Sequence, residues 1–370
     1  MAVAPEPDQQ EAPNPRVARL AVFHGPGKPF EFRSLPLPEP AAGEVLVAVS
    51  LSTLCGSDLH TFDGRRQEPT PCVLGHEAVG RVIAVGKGRD PALIDQRVTW
   101  TLADSCGGCR PCLDWELPQK CERLFKYGHA SMGSGTGFNG CYASHIVLRA
   151  GTTVIPLPDP VTDAMAAPAN CALATMVAAT EPLASGGDTV VIQGAGLLGL
   201  YGSALLRGAG WRRVLVVDRN PARLAFVPRF GGEPLTCPEA AELPSGCADA
   251  VIEATGSPAV VPEAIRLLRP GGHYALVGMV HPDSHLDLTG EAVIRKCLTL
   301  RGTHNYAPRH LRKAVAFLTQ HAARYPWASL VSPPLPLQEL GPAFALAHQG
   351  HWPRVSVSPS PSSSGTFSRS

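Results

Sequence analysis

Thr189-Val-Val-Ile-Gln193-Gly194-Ala-Gly196-Leu197-Leu198-Gly199 lies near the middle of a chain of 370 residues. Its first half is β-branched and apolar, as a buried strand requires. An Ala/Leu run that reads as a helix follows, as far as Gly208. Between strand and helix the three glycines have separate tasks. Gly194 makes a tight turn, Gly196 lets the backbone approach a pyrophosphate, and Gly199 lets the helix pack close to the strand. The helix N-terminus then faces the phosphate charge. Such a pattern arises by chance in a Gly-rich chain, and its context supplies the specificity. The next predicted strand, Val214 to Val217, closes on Asp218, at the distance expected of the acid that accepts from the adenosine ribose hydroxyls. Asp218 would repel a 2′-phosphate, so the cradle reads as an NAD site rather than an NADP site. Arg219 beside it partly offsets that repulsion. The plain structural alternative for Asp218 is the N-cap of a helix begun by Pro221. The cofactor-facing residues are therefore Gly194, Gly196, Leu197, Leu198, Gly199, Asp218 and Arg219.

Downstream, strands and helices alternate: a helix from Pro221 to Phe230, a strand at Ala250 to Glu253, a helix at Val261 to Leu268, and a strand at His273 to Gly278. That alternation is the mark of a doubly wound parallel sheet. Upstream the character changes. Val17 to Phe32, Glu44 to Leu51, Ala78 to Gly86, Arg97 to Leu102 and Tyr142 to Leu148 read as strands, with connections too short for parallel crossovers. Gly80 and Gly86 suggest a sharply bent strand, as in a small barrel. Thr162 to Leu183 reads as one or two buried helices. After one more helix (Leu311 to Leu318) the chain returns to short strands near Val331 and Val355. The expected organisation is a disordered lead-in (residues 1–15), a β-rich domain (16–160), an inserted nucleotide-fold domain (161–300), a return to the first domain (301–358), and a Ser/Pro-rich disordered tail (359–370) whose composition already begins at Ser356.

Net charge is +1, so there is no electrostatic case for nucleic acid or an anionic membrane as partner. No apolar run is long enough to span a bilayer, and the acidic, Pro-rich N-terminus lacks the features of an export signal. The expected location is cytoplasmic. Eleven cysteines, an odd number, then argue against a disulfide framework and toward metal.

Two stretches carry that argument. Cys55-Gly-Ser57-Asp58-Leu-His60 is followed, after a polar loop, by Gly75-His76-Glu77. A thiolate, an imidazole and a carboxylate within one short segment suit a borderline-soft ion such as zinc. Cys55 or His76 taken alone would read as an ordinary buried side chain. Cys106-x-x-Cys109-x-x-Cys112, with Cys121 farther on, places four thiols in one loop whose Gly107, Gly108 and Pro111 let it wrap tightly. That is a closed tetrahedral zinc site. An iron–sulfur cluster and redox thiols are the poorer alternatives.

Taken together, Cys55-Gly-Ser-Asp-Leu-His60, Gly75-His-Glu-Ala-Val-Gly80, the four-thiol loop, the Gly194–Gly199 cradle with Asp218, and Glu253-Ala-Thr-Gly256 resemble the zinc-dependent medium-chain alcohol dehydrogenases, from about Val17 to Ser358. The resemblance implies a GroES-like β-rich catalytic domain with an inserted Rossmann domain, an α/β architecture. It implies two zinc ions per chain, one catalytic and one structural, and alcohol–carbonyl interconversion with NAD(P) on a small-molecule substrate. Homodimers and homotetramers are both common in such families. The third catalytic ligand of the family lies before the Rossmann glycines, as Cys or Glu. Cys171 matches its spacing, whereas Glu181 lies too close to Gly194. The implied catalytic ligands are therefore Cys55, His76 and Cys171, with Glu77 beside the metal, and Cys106, Cys109, Cys112 and Cys121 hold the structural ion. Ser57 and His60 are implied as a proton relay that runs by way of the nicotinamide ribose, and Asp58 as a support for a ligating His. Turn hydrogen bonding is the alternative for Ser57 and His60.

Leu117-Pro-Gln-Lys-Cys121-Glu, Lys126-Tyr-Gly-His129, Ala167-Pro-Ala-Asn-Cys171-Ala and His304-Asn-Tyr306 further resemble the branch associated with phosphonate metabolism. A hydroxyalkylphosphonate would need cations near the metal. Arg65, Arg66, Lys126 and His129 are available, or are simply solvated surface charges. His304 and Tyr306 line the pocket or pack at the domain junction. A polyol or threonine-type dehydrogenase is the alternative within the family. A non-catalytic or redox-sensing nucleotide-binding protein on the same fold is the alternative outside it.

Overall fold

Val45–Thr53 is the hub of the β-rich part of the chain. It pairs antiparallel with Glu77–Val85, with His145–Leu148 and with Ser356–Ser358. The sheet continues outward through Arg97–Trp100 to Val154–Pro156 on one side and through Ser356–Ser358 to Leu335–Pro336 on the other. Two register shifts against Glu77–Val85, at Leu46/Val47 and Val49/Leu51, bend the hub. Close approach makes glycine necessary here: a Cβ at Gly80 would lie 2.3 Å from the Ala48 carbonyl oxygen. A smaller antiparallel pair, Val17–Phe23 with Glu31–Pro36, packs alongside. The computed structural model describes residues 17–281 and 284–359, so the lead-in 1–15 and nearly all of the tail lie outside the described residues.

The second sheet is wholly parallel, in the order Glu233–Leu235, Arg213–Val217, Thr189–Gln193, Ala248–Glu253, Leu268–Leu276, Thr299–Gly302. Thr189–Gln193 is buried along its whole length. Its Val190 and Ile192 pack with Leu200 and Ala204 of the helix Leu197–Gly208. Val191 faces the other way, with Leu215, Val251, Ala264 and Leu267. Apolar residues on both faces are what a parallel sheet covered on both sides demands. The strand order reverses at Thr189–Gln193, which opens a crevice at its C-terminal end, beside Gly194. No helix among the described residues is long and apolar enough to cross a membrane.

Ser57 to His60 lie in a helix, Gly56–Phe62, and not in the turn that was their alternative. Three elements differ from expectation. Pro221–Leu224 and Val227–Phe230 are two short helices, the second a 3₁₀ turn, where a single helix was expected. Pro228 removes an amide donor and breaks the run. Leu340–Gln349 is a helix where only short strands were expected, and it ends at Gly350 in the left-handed region. Ser356–Ser358 has the composition of the tail but is a core strand, with Ser356 and Val357 buried.

Candidate active site

Cys55, His76, Glu77 and Cys171 come together, with one ligand atom from each within 4.8 Å of all the others. The hub strand ends at Thr53 and delivers Cys55 to the N-cap of Gly56–Phe62. His76 and Glu77 stand where the neighbouring strand begins. The Sγ atoms of Cys55 and Cys171 are 4.0 Å apart. Asp58, fully buried, accepts from the Cys55 amide at 2.9 Å and from the Tyr142 hydroxyl at 2.9 Å. Its other oxygen lies 3.4 Å from His76 Nδ1, which leaves His76 Nε2 for the cluster.

Cys171 sits on a single π-helical turn, Ala169–Leu173, that continues into the helix Ala174–Thr180. Asn170 fixes this turn to the β domain by donating from Nδ2 to the carbonyls of His76 (3.0 Å) and Trp100 (3.1 Å). The buried Tyr306 hydroxyl donates to the Asn170 carbonyl and accepts from the Leu102 amide, so Tyr306 packs at the domain junction. Glu181 is elsewhere. Its carboxylate holds Lys313 Nζ at 2.6 Å and His310 Nε2 at 3.1 Å, on the helix Pro308–Gln320.

Arg354 carries no local motif that would have marked it. Its guanidinium reaches the buried Glu77 in a fork, at 2.9 and 3.1 Å, and lies 3.7 Å from Cys55 Sγ. Thr53 Oγ1 donates to Glu77 as well, at 2.7 Å. Burial pushes the Glu77 carboxyl up, and Arg354 limits that rise. The thiol of Cys171 beside Cys55 holds Cys55 well below the ordinary thiol range, while Cys171 itself is pushed up. Two sulfurs, an imidazole and a charge-compensated carboxylate in a buried pocket form a donor set that fits zinc.

The other four thiols also converge: Cys109 Sγ lies 3.4 Å from Cys112 Sγ and 3.7 Å from Cys121 Sγ, and all four fall within 4.8 Å of one another. Backbone amides of Cys106 and Arg123 donate to Cys121 Sγ, and that of Gly108 to Cys106 Sγ. The Gly108 amide leads in pulling Cys106 down to about 6. Amides aimed at sulfur stabilise thiolates, the form a metal binds.

At the crevice, a Cβ at Gly199 would lie 1.9 Å from the Gly194 carbonyl oxygen, and Gly194 has φ +110°. A Cβ at Gly196, the N-cap of Leu197–Gly208, would meet nothing within 4 Å. That open cradle at a helix N-terminus fits a pyrophosphate. Leu197 is buried beneath it and Leu198 is half-buried. Asp218 accepts from the amides of Ala195 and Asn220, each at 2.8 Å. The N-cap before Pro221 is Asn220, so Asp218 does not serve as that cap. Arg219 is exposed beside it.

The comparisons with known proteins give the family. Residues 41–159 match the alcohol dehydrogenase GroES-like domain, and residues 198–320 the zinc-binding dehydrogenase domain. The L-threonine 3-dehydrogenase of Saccharopolyspora erythraea is 31% identical over 304 residues, 77% of this chain and 83% of that protein. The chain belongs to the zinc-dependent medium-chain alcohol dehydrogenases. It is an NAD(P)-linked oxidoreductase. The D-arabitol-phosphate dehydrogenase of Enterococcus avium is 28% identical over 89% of this chain and 94% of its own. An alcohol dehydrogenase structure from Thermotoga maritima superposes with a TM-score of 0.87 at 29% identity, covering 93% of this chain and all of the other.

In the dehydrogenase, Ser57 and His60 stand one turn apart on one face of Gly56–Phe62. Among the described residues His60 Nδ1 is buried without a hydrogen-bond partner, and its ring meets that of His281 edge-on at 4.3 Å. Burial, then His281, holds His60 below the usual histidine range. Of the expected cations, Arg65 is exposed and pairs with Asp63. Arg66 (2.6 Å) and His129 (2.9 Å) both reach Glu68, and the His129 ring lies 5.1 Å from that of His76. Lys126 is depressed by burial, then by Arg66 and Lys120. Lys120 was not anticipated: its Nζ lies 2.7 Å from His304 Nδ1, in a cleft of about 890 Å³.

Proposed function

We propose that the dehydrogenase interconverts an alcohol and its carbonyl compound with NAD, on a small substrate that carries a phosphonate or similar anionic group. Cys55, His76 and Cys171 would hold a catalytic zinc with Glu77 at its side, and the four-thiol lobe would hold a structural one. When bound, the zinc supplies Lewis-acid polarisation of the alcohol oxygen, and the nicotinamide supplies the hydride acceptor.

The chain's own residues do the rest. Asp58 orients His76 and anchors the Cys55 amide. Arg354 keeps Glu77 compensated, so the pocket can carry ligand charge without water. Ser57 Oγ is placed to accept the substrate proton, and His60, one turn along the same helix face and not hydrogen-bonded to Ser57 among the described residues, to hold a proton on its way to solvent. Asp218 favours NAD, because its carboxylate occupies the place where a 2′-phosphate would need a cation.

The observation that carries the substrate class is charge. Among the described residues the cleft is lined by Lys120, Arg301 and Arg309, of which Arg309 lies 3.9 Å from Glu181, and by no carboxylate, and Arg66 helps depress the nearby Lys126. A neutral polyol needs no such lining. The relative named for D-arabitol phosphate supports an anionic alcohol, and the one named for threonine supports the alternative of an amino alcohol. An NAD-linked screen of plain alcohols, polyols, threonine and hydroxyalkylphosphonates decides between them. Equal rates with plain alcohols and phosphonates would sink the anionic reading. We also propose a homodimer or homotetramer, because Thr299–Gly302 leaves a free sheet edge and Ile294 before it is 75% exposed. Light scattering that shows a monomer would refute it. Eleven unpaired thiols suit a reducing, cytoplasmic setting.

A further inference from the structure

We propose that Lys120, presented by the four-thiol lobe, is the specificity-determining residue that grips the anionic group of the substrate. The inference rests on the anionic-alcohol reading of the cleft and assigns that reading to one side chain.

Placement is the first ground. Lys120 ends the short helix Pro118–Lys120 and immediately precedes Cys121. The Lys120 amide donates to Leu117 at 2.8 Å and the Cys121 amide to Pro118 at 3.1 Å, so the turn is tied directly to the fourth thiol. Leu117, Gln119 and Lys120 all face the cleft. The lobe that would bind the structural zinc thus reaches into a cleft that His281 also lines, and the His281 ring meets that of His60 beside the cluster.

Charge is the second ground. The partner of Lys120 is His304 Nδ1, across the cleft at 2.7 Å. His304 is held down to about 4 by desolvation and by Lys126, Lys120 and Arg66. It is neutral near pH 7, so it accepts and Lys120 donates. An ammonium group bound to a neutral acceptor has two further N–H groups to offer. Among the described residues, no carboxylate lies within salt-bridge distance of Lys120 or Lys126. Three neighbouring cations, with only Glu68 bound to Arg66, match a tetrahedral dianion better than a carboxylate.

An unmet polar group is the third ground. Gln119 lines the same cleft, and its buried Oε1 has no hydrogen-bond partner among the described residues. A buried acceptor left unpaired calls for a donor. A hydroxyl of the substrate supplies one. The shared chemistry is a phosphoryl-type anion, found in phosphonates and in phosphate monoesters alike.

The test is Lys120→Met, with Lys120→Arg as its control, in the zinc-loaded enzyme. Three substrates of equal chain length are compared: a hydroxyalkylphosphonate, the matching phosphate monoester and the neutral alcohol. In Lys120→Met the ratio of kcat/KM for the better anionic substrate to that for the neutral alcohol falls about 10- to 100-fold, mostly through KM. Lys120→Arg restores most of it, and whichever anion leads in the wild type identifies the natural class. Methylphosphonate binding, measured by calorimetry, weakens by a similar factor, while NADH binding by fluorescence stays within about twofold of wild type. If the wild type prefers no anionic substrate, the anionic reading fails and this inference with it. If the wild type prefers one but Lys120→Met leaves the ratio and methylphosphonate binding unchanged, the assignment to Lys120 alone is overturned. A parallel loss of NADH binding would make Lys120 a cofactor residue and would also overturn it.

Discussion

Replacing Arg354 with Met leaves Glu77 as an unpaired buried carboxylate. The two guanidinium bonds at 2.9 and 3.1 Å disappear, and only Thr53 Oγ1 still donates. Glu77 has no exposed surface, so water cannot take Arg354's place. Two routes lead to the cost. Leaving the charge in place costs about 3–5 kcal/mol. Protonating the carboxyl instead costs about 1.4 kcal/mol for each pH unit above its ordinary value near 4.3, or about 4 kcal/mol at pH 7. Burial already raises wild-type Glu77, so part of this cost is present before the substitution, and about 4 kcal/mol is the upper bound on the variant's loss at pH 7.

The second route makes the loss pH-dependent, with a definite sign. In the variant the folded-state pKa of Glu77 is raised above its unfolded value. Its protonated form then fits the fold fully at low pH, and stability is lost as pH rises from about 4 through the folded pKa. At pH 5 the loss is only about 1 kcal/mol. Urea unfolding at both pH values, in matched metal states, measures the difference. Adding Glu77→Gln to Arg354→Met removes the buried charge and recovers most of the stability at pH 7. A loss that is the same at pH 5 and pH 7, or a double variant as unstable as the single one, would refute the charge argument.

Glu181→Gln keeps the full zinc content, because Glu181 is bound to Lys313 and His310 rather than to the cluster. Lys313, with some opposition from burial, and His310 hold Glu181 down to about 2. Its contribution, about 1 kcal/mol for this partly exposed group, is present above pH 4.5 and disappears as pH falls toward 2, which urea unfolding across that window reads out. Gly199→Ala forces a Cβ to within 1.9 Å of the Gly194 carbonyl. It costs about 1–3 kcal/mol and weakens NADH binding in a fluorescence titration; unchanged binding would count against the cradle. Asp218→Ser removes the carboxylate that disfavours a 2′-phosphate, so the NADP-to-NAD ratio of kcat/KM rises at least about tenfold. An unmoved ratio would mean that Asp218 only braces Ala195 and Asn220.

Most of the fold was legible, because its signals are local. The β-branched run at Thr189–Gln193 and the three glycines lie side by side in the chain. So do Cys55 to His60, and the four thiols. Leu340–Gln349 escaped because its Ala-rich composition gives little contrast between faces, although Gly350 was an available stop signal. Ser356–Ser358 escaped because small polar residues normally mark a loop, and only a place beside Val45–Thr53 makes them a strand. The π turn under Cys171 has no local signature, and it exists because Asn170 is held by His76 and Trp100. Arg354 and Lys120 are the harder kind. Each gains its role from a partner far away in the chain, Glu77 for one and His304 for the other. Arg65 and Arg66 show the converse. They are adjacent and chemically alike, but one pairs with Asp63 at the surface and the other with Glu68 near His129.

The central claim is that Cys55, His76 and Cys171 hold one metal and the four-thiol lobe holds another. Metal analysis of the purified wild type and of Cys171→Ala tests it directly. The expected result is about two zinc per chain in the wild type and about one in Cys171→Ala, with turnover lost and the four-thiol lobe still loaded. Two zinc retained in Cys171→Ala, or one lost instead from Glu181→Gln, would contradict it.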